Sequence, residues 1–380
     1  MKDLKFPFYV KLAFILVILI SAGYLCILGE SLIVPLLFSF LFAILLLPLA
    51  NFFENKAKLP RSLSSIIAVL LLLISLSFIM YILGSQISTL SSEWPALKLQ
   101  LHTLSTNLQH WFAKTFHINI EKQTAYIRNA TNNLAKSSGS IVEQTVLSLS
   151  SILLFLVFIL IYTILLLFYR RLLMRFVVAT FTEKYVDVIY DILEHIKHII
   201  RKYITGLFFE MVIVAIIAGL VFWILGIEYV FLLALIVGIF NVIPYIGIFT
   251  ALLLSISITF ATTDGKHALF VGIAIICIHL FDSNFLMPKI VGSQVKLNPL
   301  VVILGVIVGE MMFGISGMFL SIPYLAIAKV MFDRIEGLQP WGILLGEEEE
   351  TPKKVTRIVN KVKEKQGDDK TNPTPGTLDN

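Results

Sequence analysis

Charge is scarce in this chain. Only 14% of its 380 residues are Asp, Glu, Lys or Arg, whereas 57% are hydrophobic. Soluble domains use about a quarter charged residues, so a water-facing surface wrapped around one core is excluded. Cysteine is almost absent. Cys26 and Cys277 both stand inside apolar runs, which excludes a disulfide framework and a cysteine metal cluster. No Walker A motif occurs, which excludes ATP drive within this chain. A net charge of +5 does not point to nucleic acid, because the basic residues flank apolar segments as the positive-inside rule expects. No cofactor and no metal is implied.

What the chain has in quantity is long apolar runs. Lipid offers no partner to an exposed backbone group, so such runs must be helices. The expected fold is all-α and polytopic, with the lipid bilayer as its solvent. The runs cover about Phe8–Leu28, Leu32–Phe53, Ser64–Gly84, Leu147–Tyr169 and Leu207–Gly226. The first is not read as a cleaved signal, since a second run follows at once across Gly29-Glu30-Ser31. Pro35 is placed in the first turn of its helix, where proline is tolerated. Lys2, Lys5 and Lys11 put the N-terminus inside. Lys56, Lys58 and Arg61 follow inside, and so do Arg170, Arg171, Arg175, Lys184, Lys197, Arg201 and Lys202.

Two later segments are broken. Tyr229–Ile243 and Ile248–Ala261 flank Pro244-Tyr245-Ile246-Gly247; Asn298–Phe313 and Met318–Phe332 flank Gly314-Ile315-Ser316-Gly317. Each arm is about 22 Å of helix, short of a hydrocarbon core of about 30 Å. Two re-entrant helical hairpins are therefore expected, the first entering from outside and the second from inside. Charge counting leaves two full spans per hairpin open; arm length favours re-entry. A long span plus a hairpin occurs twice with opposite orientation, the inverted topology of broken-helix transporters. The basic residues Lys353 to Lys363 set the C-terminus inside.

Five parts follow: three spans (1–84), an extracytoplasmic helical hairpin (85–146), a fourth span with a cytoplasmic amphipathic helix (147–206), a transport core (207–335) and a disordered tail (336–380). The hairpin shows a heptad seam through Leu90, Trp94, Leu97, Leu101, Leu104, Leu108 and Trp111, suited to packing within one subunit or between subunits. The amphipathic helix carries Val186, Ile189, Leu193, Ile196, Ile200 and Tyr203 on one face, to lie on the membrane or touch a neighbour.

Ionisable groups inside apolar spans are costly and point to function. His279 and Asp282 share a helix face with Asn284 nearby, where a proton or cation could be handled; Asp282 could instead meet interfacial water or a lysine. Glu310 precedes the Gly314 break and should lie near the midplane. Glu210 reads as an interfacial residue. Asn241, Pro244 and Gly247 form the first hairpin tip, and Gly314 and Gly317 the second, where freed backbone groups can bind solute. The Gly314-Ile315-Ser316-Gly317 run resembles the nucleophile motif of rhomboid intramembrane proteases, but no histidine follows Ser316, and His279 precedes it. A hydrolase is therefore the remote alternative. Glu194-His195-Ile196-Lys197-His198 matches no zinc-protease order.

The segments "FNVIPYIGIF" (240–249) and "HLFDSNFLMPKIVGSQVKLNPLVVILGVIVGEMMFGISGMFLSIPYLAI" (279–327), with the tight hairpin from Glu30 to Pro48, resemble the autoinducer-2 exporter family of PerM-like permeases. The likeness covers residues 1–335. It rests on the ordered set Asn241, Pro244, Gly247, Asp282, Asn284, Pro288, Gly292, Leu297, Pro299, Gly314, Gly317 and Pro323. It implies a bacterial inner-membrane transporter of about eight hydrophobic segments. Its members export the furanone autoinducer-2, and some exchange sodium or lithium for protons. A homo-oligomer is implied, as a pentamer. One departure stands out: Ile248 follows Gly247 where many members carry a second proline. The translocation site expected from residues and resemblance together comprises Asn241, Pro244, Gly247, His279, Asp282, Asn284, Glu310, Gly314 and Gly317, for a small-molecule or ion substrate.

Overall fold

A computed structural model describes residues 7–92, 138–292 and 296–347. Among the described residues all regular structure is helical. Helix α1 (Phe8–Leu28) joins α2 (Glu30–Asn55) through Gly29 alone. There follow α3 (Arg61–Ser92), α4 (Ser138–Thr180), a single 3-10 turn, and α5 (Val186–Ile224). Next come α6 (Val230–Asn241), α7 (Ile246–Thr262) and α8 (Gly265–Phe281). Two wide turns, Asp282–Leu286 and Pro288–Gly292, lead to α9 (Pro299–Arg334) and the short α10 (Gln339–Leu345). The extracytoplasmic heptad helices expected between α3 and α4 lie outside the described residues, as does the tail from residue 348.

Among the described residues six helices are long and apolar enough to cross a membrane, including Glu30–Asn55, Ser151–Thr180 and Gly265–Ile290. The chain is a multi-pass membrane protein. Length alone also counts Pro299–Arg334 as one such span, but this helix is folded on itself. Phe313 (φ −140°) and Gly314 (φ 58°, ψ −143°) leave helical geometry. Ser321 Oγ then donates to the Gly305 carbonyl at 2.8 Å. A Cβ on Gly317 would overlap the Gly309 carbonyl. Residues 305 with 321, and 309 with 317, keep an antiparallel register, so α9 is a helical hairpin whose arms touch backbone to backbone. The break falls at Phe313-Gly314, and Gly317 is already helical.

The first hairpin turns even more tightly. Tyr245 takes φ 61°, ψ −54°, and the Pro244 carbonyl accepts from Ile246 N at 2.7 Å. This is a γ-turn of the positive-φ kind, which a side chain adopts only under strain. Two residues on, a Cβ at Gly247 would overlap the Phe240 carbonyl. Only glycine lets α7 start this close to the end of α6. Helix α6, with 12 residues, is about 18 Å long.

Three clusters hold the helices together. Val34, Leu41 and Ile44 of α2 bury against Ile192, Ile196 and Ile200 of α5 and Leu320 and Val330 of α9. Ala43, Leu46 and Ala50 of α2 pack on Ala68 and Val69 of α3 and Leu167 of α4. The third joins α5 to α8 through Val214, Phe222, Leu233, Val237, Ala251, Val271 and Ile275. Polar links between helices include Tyr324 Oη, which donates to the Leu37 carbonyl at 2.9 Å, and Arg170 and Arg171, which both reach Glu54.

Several details differ from the sequence-based expectations. Helix α5 runs unbroken through residues 206 and 207, and its apolar face is buried inside the chain on α2 and α9 rather than lying on a membrane surface. Pro35 stands well inside α2, because that helix begins at Glu30. Helix α10 lies within the stretch expected to be disordered. It docks because Leu345 is buried and its carbonyl accepts from Asn298 N at 2.9 Å.

The close approach of the α9 arms makes a checkable demand. Gly317→Ala should lower thermal stability by about 1–3 kcal/mol, the usual cost of overpacking. Gly23→Ala, where an added Cβ meets nothing within 4 Å, should leave it unchanged. Thermal unfolding of the detergent-solubilised variants reads the difference. Equal midpoints would mean that the arms do not touch.

Candidate functional site

Helix α6 ends at Asn241 because Pro244 cannot continue it. Helix α8 ends at Phe281, where the chain widens into a π-type turn ahead of Pro288. Beside that turn Asn284 Nδ2 donates to the Leu280 carbonyl at 2.7 Å. Both interruptions therefore leave a polar side chain at an inward-facing helix end. Gly238 brings the third partner close: a Cβ there would stand 2.8 Å from Ala215 Cβ and the Met211 carbonyl. One turn beyond Gly238 on α6 is Asn241, and beside Met211 on α5 is Glu210.

The three side chains meet. Asn241 Nδ2 donates to Asp282 Oδ2 at 3.0 Å and, more loosely, to Glu210 Oε1 at 3.4 Å. Glu210 is 4% exposed and Asp282 3%. Their remaining oxygens, Glu210 Oε2 and Asp282 Oδ1, are buried with no hydrogen-bond partner in the protein. His279, one turn before Asp282, has a buried, unpartnered Nδ1, and its Nε2 lies 3.4 Å from Ser283 Oγ. A cavity of about 10 Å³ opens beside Asn241 and His279, walled by Val237, Ile248 and Ala251. That is close to the space one water needs.

The electrostatics are lopsided. Two carboxyls share one neutral amide, and the amide sits at the C-terminus of α6, the negative end of a helix dipole. Burial penalises each charge and proximity penalises the pair. Such a cluster is balanced by a proton, a cation or a hydrogen-bond donor from a ligand, and it changes character when that partner leaves.

Among the residues expected from sequence, Asn241, Asp282 and His279 come together here. Pro244 and Gly247 shape the turn that follows Asn241. Asn284 is exposed and occupied with its own helix. Glu310 is exposed on the first arm of α9, a hairpin that packs on α5 and α2. Gly314 is exposed at the tip and Gly317 buried at the arm contact. Ser316 shares no hydrogen bond with His279, whose ring faces Ser283. Glu210 is the residue that sequence reasoning assigned elsewhere. It does not face solvent or lipid, because it continues the buried face of α5 one heptad beyond Tyr203. A groove of about 1360 Å³ lies between α3, α5 and α6, walled by Phe78, Phe208, Trp223 and Phe231. Its walls are mostly apolar, and Glu210, Asn241 and Asp282 are not among its lining.

The sequence profile of the AI-2E family transporter matches residues 12–337. The chain is 26% identical over 316 residues to YrrI of Bacillus subtilis (strain 168), named as a candidate transport protein; the match covers 80% of this chain and 86% of that one. It is 25% identical over 328 residues to the AI-2 transport protein TqsA of Escherichia coli (strain K12), covering 84% of this chain and 90% of that one. YhhT of the same strain, also named as a candidate transport protein, is 21% identical over 323 residues, covering 84% of this chain and 89% of that one.

The shared amide should show as thermodynamic coupling. Asn241→Leu removes the donor between two buried carboxyls and should cost about 1–3 kcal/mol. In a double-mutant cycle with Asp282→Asn, the coupling should be about 0.5–3 kcal/mol. A cycle with Asn284→Leu should be additive. An additive Asn241/Asp282 pair would dissolve the cluster.

Proposed function

This chain belongs to the AI-2E transporter family, and we propose that it exports a small polar metabolite of the kind autoinducer-2 represents, with a coupling proton exchanging on the carboxyls of Glu210 and Asp282, which Asn241 bridges. One observation carries the reading: two carboxyl oxygens are buried without partners in one apolar core. In the protonated state the acids donate hydrogen bonds to the oxygens of a hydroxylated solute. On losing the proton they repel each other and favour the solute's departure. Asn241 rides at the hinge between α6 and α7, so a movement of that hairpin separates it from Asp282 and Glu210. The relative named for AI-2 transport supports the substrate class.

The same reading includes the bacterial inner membrane, cytoplasmic termini and two re-entrant hairpins of opposite orientation. The brevity of α6 and the basic flanks of the spans support it. It also includes a homo-oligomer, the pentamer of the family resemblance. Glu310, exposed with Ile307, Met311 and Ile315 on α9, then faces a solute path or a neighbouring copy rather than lipid.

A second reading draws on the same paired acids. Carboxyl and amide oxygens suit a hard monovalent cation, so exchange of sodium or lithium for protons would use the same three residues. Proteoliposomes with an imposed pH gradient separate the two: export moves autoinducer-2, and antiport moves sodium or lithium without it. In either case Asp282→Asn and Glu210→Gln should assemble normally and lose about tenfold or more of the pH-driven rate. Glu310→Gln, run alongside, should retain that pH dependence. A parental rate and pH profile in Asp282→Asn would remove the acid pair from the mechanism.

A further inference from the structure

Buried polar atoms without partners are not scattered through this protein. Among the described residues they are Arg61 Nε and six others, and all six belong to the unit from α5 to the turn after α8. Three of these, Glu210 Oε2, His279 Nδ1 and Asp282 Oδ1, are the site already described. The remaining three are hydroxyls: Ser255 Oγ, Thr259 Oγ1 and Thr263 Oγ1.

Their spacing is regular. Residues four apart on a helix share a face, so Ser255 and Thr259 stand one above the other on α7. Thr263, just past the end of α7, continues the row. Ser255 and Thr259 are 0% exposed. A buried serine or threonine in a membrane helix ordinarily bonds back to the carbonyl four residues earlier. Thr250 and Thr262 on this same helix do so, at 3.0 Å and 2.9 Å, and so does buried Thr163 on α4. The row does not. Its hydroxyls are buried without a hydrogen-bond partner. One turn before Ser255 is Ala251, and Ala251 walls the small cavity beside Asn241 and His279. The row thus leads from the α7–α8 loop toward the acid pair.

We propose that Thr263, Thr259 and Ser255 line the route by which water, and with it the coupling proton, reaches Asn241, Asp282 and Glu210 from the α7–α8 end of the core. Successive hydroxyls one turn apart are about 6 Å from each other along the helix. Two hydrogen bonds of about 2.8 Å span that distance, so one water bridges each pair when the row opens. In this structure the row is packed shut, as in an occluded state. The titratable groups at its inner end are Glu210 from α5 and His279 and Asp282 from α8 and its turn. The described part of α7 itself contributes none, so the hydroxyls relay rather than hold a charge. The inference rests on the acid pair as the coupling site.

The test has two arms. In a Cys26→Ala, Cys277→Ala background, Ser255→Cys and Thr259→Cys should react with a small cationic methanethiosulfonate reagent added in water. Ala218→Cys, equally buried in the same core but among apolar side chains, should not. Reaction at 255 and 259 no faster than at 218 would overturn the route. This arm needs no transport, so it stands or falls apart from the role of Asp282. In the second arm, Thr259→Val keeps the side chain's shape and removes the hydroxyl, while Thr259→Ser keeps the hydroxyl. The valine variant should lose about tenfold in pH-driven transport with an unchanged thermal midpoint, and the serine variant should retain it. Parental transport in Thr259→Val, alongside loss of transport in Asp282→Asn, would keep the acid pair and discard the hydroxyl row.

Discussion

Along α5 one face stays buried from Ile189 to Phe222, through Ile192, Ile196, Ile200, Tyr203, Gly206, Glu210, Val214 and Ala218. Both hairpins take their position from it. Its first half meets α2 and the folded α9, and its second half meets α6 and α8. With 39 residues, the helix is about 58 Å long, far more than a bilayer core requires. The two hairpins therefore pack on successive lengths of a single rod. A polar residue placed at the middle of that buried face has no water to turn to and must find its partner inside. Glu210 is that residue, and Asn241 and Asp282 are delivered to it by the ends of α6 and α8.

Lipid supplies no hydrophobic drive between helices, so association depends on close contact and on polar groups at the contact. Both devices are visible. The arms of α9 meet at Gly309 and Gly317, and α6 settles on α5 at Gly238. Polar links run between the same packed elements, as in Tyr324 with Leu37 and Ser39 with the Ile159 carbonyl at 2.9 Å. The α5–α8 unit departs from this economy. Among the described residues it leaves acids, an imidazole nitrogen and hydroxyls buried but unpartnered, where elsewhere only Arg61 Nε is so left.

The acids illustrate what could be read early and what could not. Asp282 and His279 were recognisable because a charge in an apolar run is expensive wherever the run goes. Asn241 was recognisable by its place before Pro244. Glu310 satisfied the same rule, yet the structure leaves it on an exposed face, since about half a turn on a helix separates a buried carboxyl from an outward one. Glu210 looked interfacial by its distance from the start of an apolar run. Its heptad relation to Tyr203 was present in the sequence, but that relation acquires meaning only when the amphipathic stretch and the following span are one helix.

Composition and run length by themselves determined the class of this protein: helical, multi-pass, with breaks at Pro244 and Gly314 that no continuous helix could absorb. These are local consequences of lipid's inability to satisfy backbone groups and of the backbone limits of proline and glycine. Tertiary structure alone decided which polar residues meet. Glu210, Asn241 and Asp282 are separated by 31 and 41 residues, and their convergence depends on how closely α6 approaches α5 and where α8 widens. Packing of that kind is set by the shapes of side chains on facing helices, and no pattern along one strand of sequence records it.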